Sequence, residues 1–183
     1  RPGDDVWVTG TLGDAAAALL LDRHLPPPVD GAEVPTVGPD VATVLRTRLA
    51  RPIPRVGVGR GLAGLAHACV DVSDGLLADL GHVCRRSGVG AEVEIAQLPA
   101  SPALLAAFSA TGLRAALQAG GGDDYELCFT APAHLRGAVL QVLTQAGVEG
   151  TRVGRIVTGS GVHVLSADGS PWQPPRRGYV HFD

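Results

Sequence analysis

No run of apolar residues in this 183-residue chain is longer than Ala15 to Leu21. A bilayer-spanning helix needs roughly 20 such residues, so no membrane span is expected. The chain is nevertheless 45% hydrophobic, with a mean hydropathy of +0.19. It must bury that apolar content by packing many short elements together, and its length suits a single core.

Glycine and proline separate those elements. Asp5 to Thr9 alternates and predicts a strand closed by Gly10. Asp14 to His24 predicts a helix ended by Pro26-Pro27-Pro28, and residues 29–38 a loop. Pro39 opens a helix running to about Ala50. Ala68 to Val72 predicts a short buried strand. Ser73 or Asp74 then caps a helix with Leu76, Leu77, Leu80, Val83 and Cys84 on one face, stopped by Gly88. Further strands are expected at Ala91 to Ile95, Tyr125 to Thr130, Thr151 to Val157 and Val162 to Ser166. Ser101-Pro102 starts a helical stretch, Pro132 to Ala146 is a helix, and Asp168-Gly169 is a turn. The tail from Pro171 is too proline-rich for either element. Strands and helices intermix without strict alternation, so the expected class is α+β, a mixed sheet with helices packed on it. No internal repeat or interdomain linker is evident.

Charge and residue usage exclude several chemistries. The net charge of -3 offers no basic face to a nucleic acid. All 15 basic residues are Arg, which removes Lys-based Schiff-base chemistry and the phosphate-binding P-loop. Cys69, Cys84 and Cys128 form no CxxC pair and read as buried free thiols in a reducing cytosol. The six histidines share no metal-ligand spacing on a helix. The polar start at Arg1 does not read as a signal peptide, and the absence of Met leads us to expect a piece of a longer protein.

Three segments can carry chemistry. Gly59-Arg60-Gly61-Leu62-Ala63-Gly64 matches GxGxxG, but Pro52 and Pro54 stand where a dinucleotide site needs its strand. A helix loosened by glycine and packed closely on the sheet is the expectation. In Val70-Asp71-Val72-Ser73-Asp74-Gly75-Leu76, two carboxylates three residues apart can converge on a hard cation such as Mg²⁺. The amides of the helix N-terminus beside them face any phosphate nearby. Capping alone would account for Asp74. Asp71 ends an apolar strand, where an unpartnered carboxylate is costly. On the residues alone both readings stand. In Gly120-Gly121-Gly122-Asp123-Asp124-Tyr125-Glu126-Leu127, three glycines allow close backbone approach, and three acids follow within four positions. This is either a turn with a solvated acidic edge or a site for a cation.

With Val8-Thr9-Gly10-Thr11-Leu12-Gly13-Asp14-Ala15 before them and Gly178-Tyr179-Val180-His181-Phe182 after them, the last two segments resemble the C-terminal half of the thiamine-monophosphate kinase family. The likeness spans essentially the whole chain. The Asp-x-Ser-Asp-Gly element is shared across the aminoimidazole ribonucleotide synthetase superfamily, whereas GGDDYEL and Gly-Tyr-x-His-Phe are more specific. The resemblance implies a three-layer α/β/α domain with a mixed sheet, partly ferredoxin-like. Residues 1–183 would be the C-terminal domain, following an ATP-binding N-terminal domain through which the full-length cytoplasmic enzyme forms a homodimer. It further implies Asp71 and Asp74 as Mg²⁺ ligands and Ser73 as an ATP contact. Glu126 and Tyr179 would contact thiamine monophosphate, with Tyr179 preferred to Phe182. The family reaction is ATP-dependent phosphorylation of thiamine monophosphate to thiamine diphosphate. Other readings are a selenophosphate or aminoimidazole ribonucleotide synthetase, or a non-catalytic binding module.

The acceptor in that reaction is a phosphate with a second pKa of about 6, so it needs no general base at neutral pH. The obstacle is repulsion between two anions, which metal ions held by aspartates relieve. Direct in-line transfer is therefore expected, and the chain in isolation is expected to be inactive.

Overall fold

The computed structural model describes residues 1–24, 26–29, 31–109 and 111–175. Strands β1 (Asp4–Thr9), β2 (Ala68–Asp71), β3 (Gly90–Glu94), β4 (Leu127–Pro132), β5 (Gly150–Val157), β6 (Gly161–Leu165) and β7 (Pro171–Trp172) form one sheet. Their order is β2-β4-β1-β5-β3-β6-β7, and every pairing is antiparallel except β3 with β6. The mixed α+β class is thus as expected.

Helices cover both faces of this sheet, and the strand period shows it. Along β1, Val6 and Val8 pack with Leu76, Leu77 and Leu80 of α4 (Leu76–Ser87). Trp7 points the other way and joins Val58 of α3 (Val56–Gly61) and Val139 and Leu143 of α7 (Arg136–Gln145). Trp7 also stacks on Phe129 of β4, with ring centroids 6.3 Å apart. All six residues of β1 are buried, the pattern of a central strand covered on two sides. A second apolar cluster lies among α1 (Asp14–Leu21), α2 (Pro39–Ala50), α5 (Pro102–Ala107) and α6 (Thr111–Gly120), around Leu20, Leu45, Leu104 and Leu117.

Of the GxGxxG stretch, Gly59 to Gly61 end α3, the helix expected there, and Leu62 to Gly64 form the turn after it. The helix packs on the sheet as expected, with Val58 in the cluster of Trp7 and Phe129 and Gly59 facing Leu127, while Gly61 faces α7, where a Cβ would lie 2.6 Å from Val142. Several other local readings need correction. Pro171 and Trp172 pair with β6 in spite of the proline, which is tolerated because β7 is an edge. Helix α6 was not anticipated, and the helix expected from Pro132 begins as α7 only at Arg136. The strand expected from Tyr125 begins at Leu127, because Tyr125 sits at φ +49°. Tyr179 and Phe182 lie outside the described residues.

Candidate active site

Three of the segments singled out above, Val8 to Ala15, Val70 to Leu76 and Gly120 to Leu127, meet at one end of the central strands. The backbone makes the first junction. Val72 donates its amide to the Glu126 carbonyl at 2.8 Å, Tyr125 donates to the Val72 carbonyl at 2.9 Å, and Asp123 donates to the Ser73 carbonyl at 2.9 Å. The glycine-rich segment therefore runs alongside the Asp71–Asp74 turn and prolongs the β2–β4 ladder beyond its strands. Gly122 is held so close that an added Cβ would lie 2.3 Å from the Ser73 oxygen. Only glycine meets that approach.

Side chains make the second junction, to the segment after β1. The Thr9 hydroxyl donates to Glu126 Oε2 at 2.6 Å and accepts the Leu127 amide at 2.8 Å. Gly13 donates its amide to Asp124 Oδ2 at 2.8 Å. Gly10 takes φ +55°, and a Cβ there would fall 2.2 Å from the Glu126 carboxylate.

Glu126 is 1% exposed. Arg55 grips its carboxylate with Nε on Oε2 at 2.7 Å and one terminal nitrogen on Oε1 at 2.6 Å. Arg48 adds a bond to Oε1 at 2.9 Å and lies 3.5 Å from Asp14. Burial pushes the Glu126 carboxyl up, but the bonds from Arg55, Thr9 and Arg48 outweigh it and leave the group below its ordinary range. The bond to Glu126 raises the Arg55 guanidinium in turn. Asp14 is held by Ser101 Oγ at 2.6 Å and by Thr11 Oγ1 at 3.1 Å. Asp124 is pushed up to about 8, first by burial and then by the Asp14 charge beside it, against the amides of Gly13 and Ala15. Its Oδ1 is buried without a hydrogen-bond partner among the described residues.

The Asp71–Asp74 turn corrects two expectations. Neither Ser73 nor Asp74 caps α4. Asp79, one turn inside the helix, reaches back so that its Oδ2 accepts the amides of Ser73 (3.0 Å), Asp74 (3.0 Å) and Gly75 (3.2 Å). The amides of Ser73, Asp74 and Gly75 are therefore taken by Asp79 and are not open to a phosphate. Asp71 is exposed at the end of an edge strand. Water solvates it, so the cost expected for a buried strand end does not arise.

Asp71 makes no hydrogen bond or ion pair among the described residues, while Asp74 is half-buried and has a partner. Two carboxylates on a tight turn suit an oxygen-seeking ion. However, no group of three His, Cys, Asp or Glu side chains placed to hold a metal occurs among the described residues. The donor set fits part of an Mg²⁺ site and does not complete one.

The structure thus brings Asp71, Ser73, Asp74 and Glu126 into one neighbourhood. Sequence reasoning missed Arg48, Arg55 and Asp79. Arg48 and Arg55 precede Glu126 by 78 and 71 residues, and no local pattern announces the contact. Asp79 was visible as an acid in the first turn of a helix, the place where a carboxylate meets free amides.

Comparison with known proteins agrees with this architecture. Residues 1–166 match the family model of AIR synthase related protein, C-terminal domain. The thiamine-monophosphate kinase of Escherichia coli is 39% identical over the whole chain, which spans 53% of that relative. Among solved structures, thiamine-monophosphate kinase from Stenotrophomonas maltophilia superposes with a TM-score of 0.80 at 46% identity, covering 94% of this chain and 52% of the other. AaThiL complexed with AMPPCP and TMP superposes with a TM-score of 0.72 at 32% identity, covering 100% and 52%. The chain spans about half the length of the curated relatives it matches. It belongs to the family of AIR synthase related proteins, C-terminal domain, and relatives 39% identical to it are thiamine-monophosphate kinases.

Proposed function

We propose that this chain forms the C-terminal half of the active site of a cytoplasmic thiamine-monophosphate kinase. The single observation that carries the proposal is the convergence of Thr9–Asp14, Asp71–Asp74 and Gly120–Glu126 at one end of the sheet. That convergence occurs in a chain that matches thiamine-monophosphate kinases along its whole length. In the reaction an oxygen of the thiamine monophosphate phosphate attacks the γ-phosphorus of ATP. The bond from that phosphorus to the β–γ bridging oxygen breaks, and thiamine diphosphate and ADP result.

Asp71 and Asp74 would hold Mg²⁺, with further ligands from a second, N-terminal domain through which the full-length enzyme dimerises. When bound, the ion offsets the repulsion between the two phosphates and helps align them. The Ser73 hydroxyl faces the nucleotide. Glu126 serves the thiamine monophosphate side from its buried seat, and Tyr179 contacts that substrate directly. No side chain need remove a proton, since the acceptor phosphate is mostly ionised at neutral pH.

The test is turnover of ATP by the full-length enzyme with thiamine monophosphate, hydrogen selenide or formylglycinamidine ribonucleotide as second substrate. Thiamine diphosphate formed with the first alone is the expected result, with no turnover by the 183-residue chain by itself. Product from either of the other two would replace this reading with the corresponding synthetase.

A further inference from the structure

Arg48 and Arg55 have no part in the reaction as written, yet both end on Glu126, an acid of the site that is almost fully buried. Arg48 lies near the end of α2 and Arg55 just before α3, and their side chains are 21% and 15% exposed. Between them they supply three of the four hydrogen bonds to the Glu126 carboxylate, with Thr9 supplying the fourth. The Glu126 carbonyl also accepts the amide of Val72, the residue between Asp71 and the Ser73-Asp74 pair. One residue therefore joins the two guanidiniums to the turn that carries the proposed metal and nucleotide groups.

We infer that Arg48 and Arg55 are positioning residues, which act through Glu126 to fix the Asp71–Asp74 turn and the glycine-rich segment beside it. This rests on the function proposed above. Without the arginines, Glu126 would be a buried charge held by the Thr9 hydroxyl alone, a situation that costs far more than an exposed charge. Two reliefs are open, uptake of a proton by the Glu126 carboxyl or movement of the start of β4 toward water, and at a pH where the carboxyl stays ionised only the second remains. That movement takes the acceptor away from the Val72 amide and slackens the bonds from Tyr125 and Asp123 that follow it along the chain. A pair with two matching bonds elsewhere provides a control. Arg136 of α7 grips Asp5 of β1 through Nε at 2.5 Å and a terminal nitrogen at 2.8 Å, a more exposed pair with no hydrogen bond to the turn among the described residues.

The experiment compares Arg55→Gln, Arg55→Lys and Arg136→Gln. Amide hydrogen exchange is followed on the 183-residue chain, and steady-state kinetics on the full-length enzyme. Arg55→Gln is expected to speed exchange at Val72, Asp123 and Tyr125 relative to β5 and β6. It should also raise the KM for thiamine monophosphate and the Mg²⁺ needed for half-maximal rate, each by about tenfold. Arg55→Lys keeps the charge and should recover part of both effects. Arg136→Gln should lower the melting temperature without a local change at the turn. Equal exchange at Val72, Asp123 and Tyr125 in Arg55→Gln and Arg136→Gln would overturn the inference, whatever reaction the enzyme performs. So would local exchange changes with unchanged KM and Mg²⁺ requirement in an enzyme shown to use thiamine monophosphate. Failure of the functional reading itself would appear separately, as absence of thiamine diphosphate from the parent enzyme.

Discussion

Asp124 Oδ2 accepts the Gly13 amide at 2.8 Å, so a carboxyl from the glycine-rich segment sits on the first turn of α1. It replaces the side-chain cap that α1 lacks, since Gly13 in the left-handed conformation has none to offer. Burial and the neighbouring Asp14 charge raise its pKa from 3.8 to about 8. The fold therefore keeps a proton that the unfolded chain has already released above pH 3.8. Stability from this group is full below about pH 4, falls as the pH rises toward 8, and changes no further above that.

Asp124→Asn copies the neutral acid and keeps an oxygen for Gly13. We expect the variant to lose this component of the pH dependence and to melt above the parent at pH 9, by about 1–3 kcal/mol in stability. Thermal melts from pH 5 to pH 9 check this. Parallel profiles for parent and variant would show that Asp124 does not titrate in this range.

Asp79 should matter through one oxygen. All three amides at the start of α4 point to Oδ2, and burial holds its carboxyl above the ordinary range. Asp79→Asn retains that acceptor and should cost less than about 1 kcal/mol. Asp79→Ala leaves three partly buried amides unanswered and should cost about 2–3 kcal/mol. Chemical denaturation of both variants gives the comparison, and equal losses would mean that the negative charge, and not the acceptor, is what α4 requires.

Gly10→Ala tests how tightly the segment after β1 is seated on Glu126. The substitution places a methyl 2.2 Å from the carboxylate at φ +55°. A loss of about 2 kcal/mol or more is expected. Shortening the acid in Glu126→Asp opens that space, so the double variant should lose less than the sum of the single losses. Strict additivity in a denaturation cycle would place the whole cost in the backbone angle.

The residues that proved legible were those whose constraint is local. Gly88 stops α4 in a left-handed cap, Pro39 opens α2, and Ser101 caps α5 by accepting the Leu104 amide. The acids of the Asp71–Asp74 turn and the Gly120–Glu126 segment stood out for the same reason, since their spacing is a matter of a few bonds. Partners distant in the chain were not legible. Nothing near Glu126 indicates that its charge is matched from α2 and the start of α3. The solvation of Asp71 follows from strand order, which puts β2 at the edge after a crossover that no strand pattern encodes. The cap expected of Ser73 or Asp74 does not form, and it is instead Asp79, inside α4, that reaches back to the amides of the turn before the helix.

Asp71 gives the sharpest test of the site, because its setting separates charge from structure. It is exposed and makes no hydrogen bond or ion pair among the described residues. Asp71→Asn keeps the size and one oxygen and should leave the melting temperature of the 183-residue chain nearly unchanged. A ligand to Mg²⁺ cannot lose its charge so cheaply. In the full-length enzyme the same substitution should lower kcat by roughly 100-fold or more, and excess Mg²⁺ should recover part of the loss. An exposed carboxylate with no catalytic part would show the first result without the second. A thermal melt set beside a Mg²⁺ titration decides between them. Near-normal kcat with unchanged Mg²⁺ dependence would remove Asp71 from the metal site and leave Asp74 as the acid of that turn still to be tested.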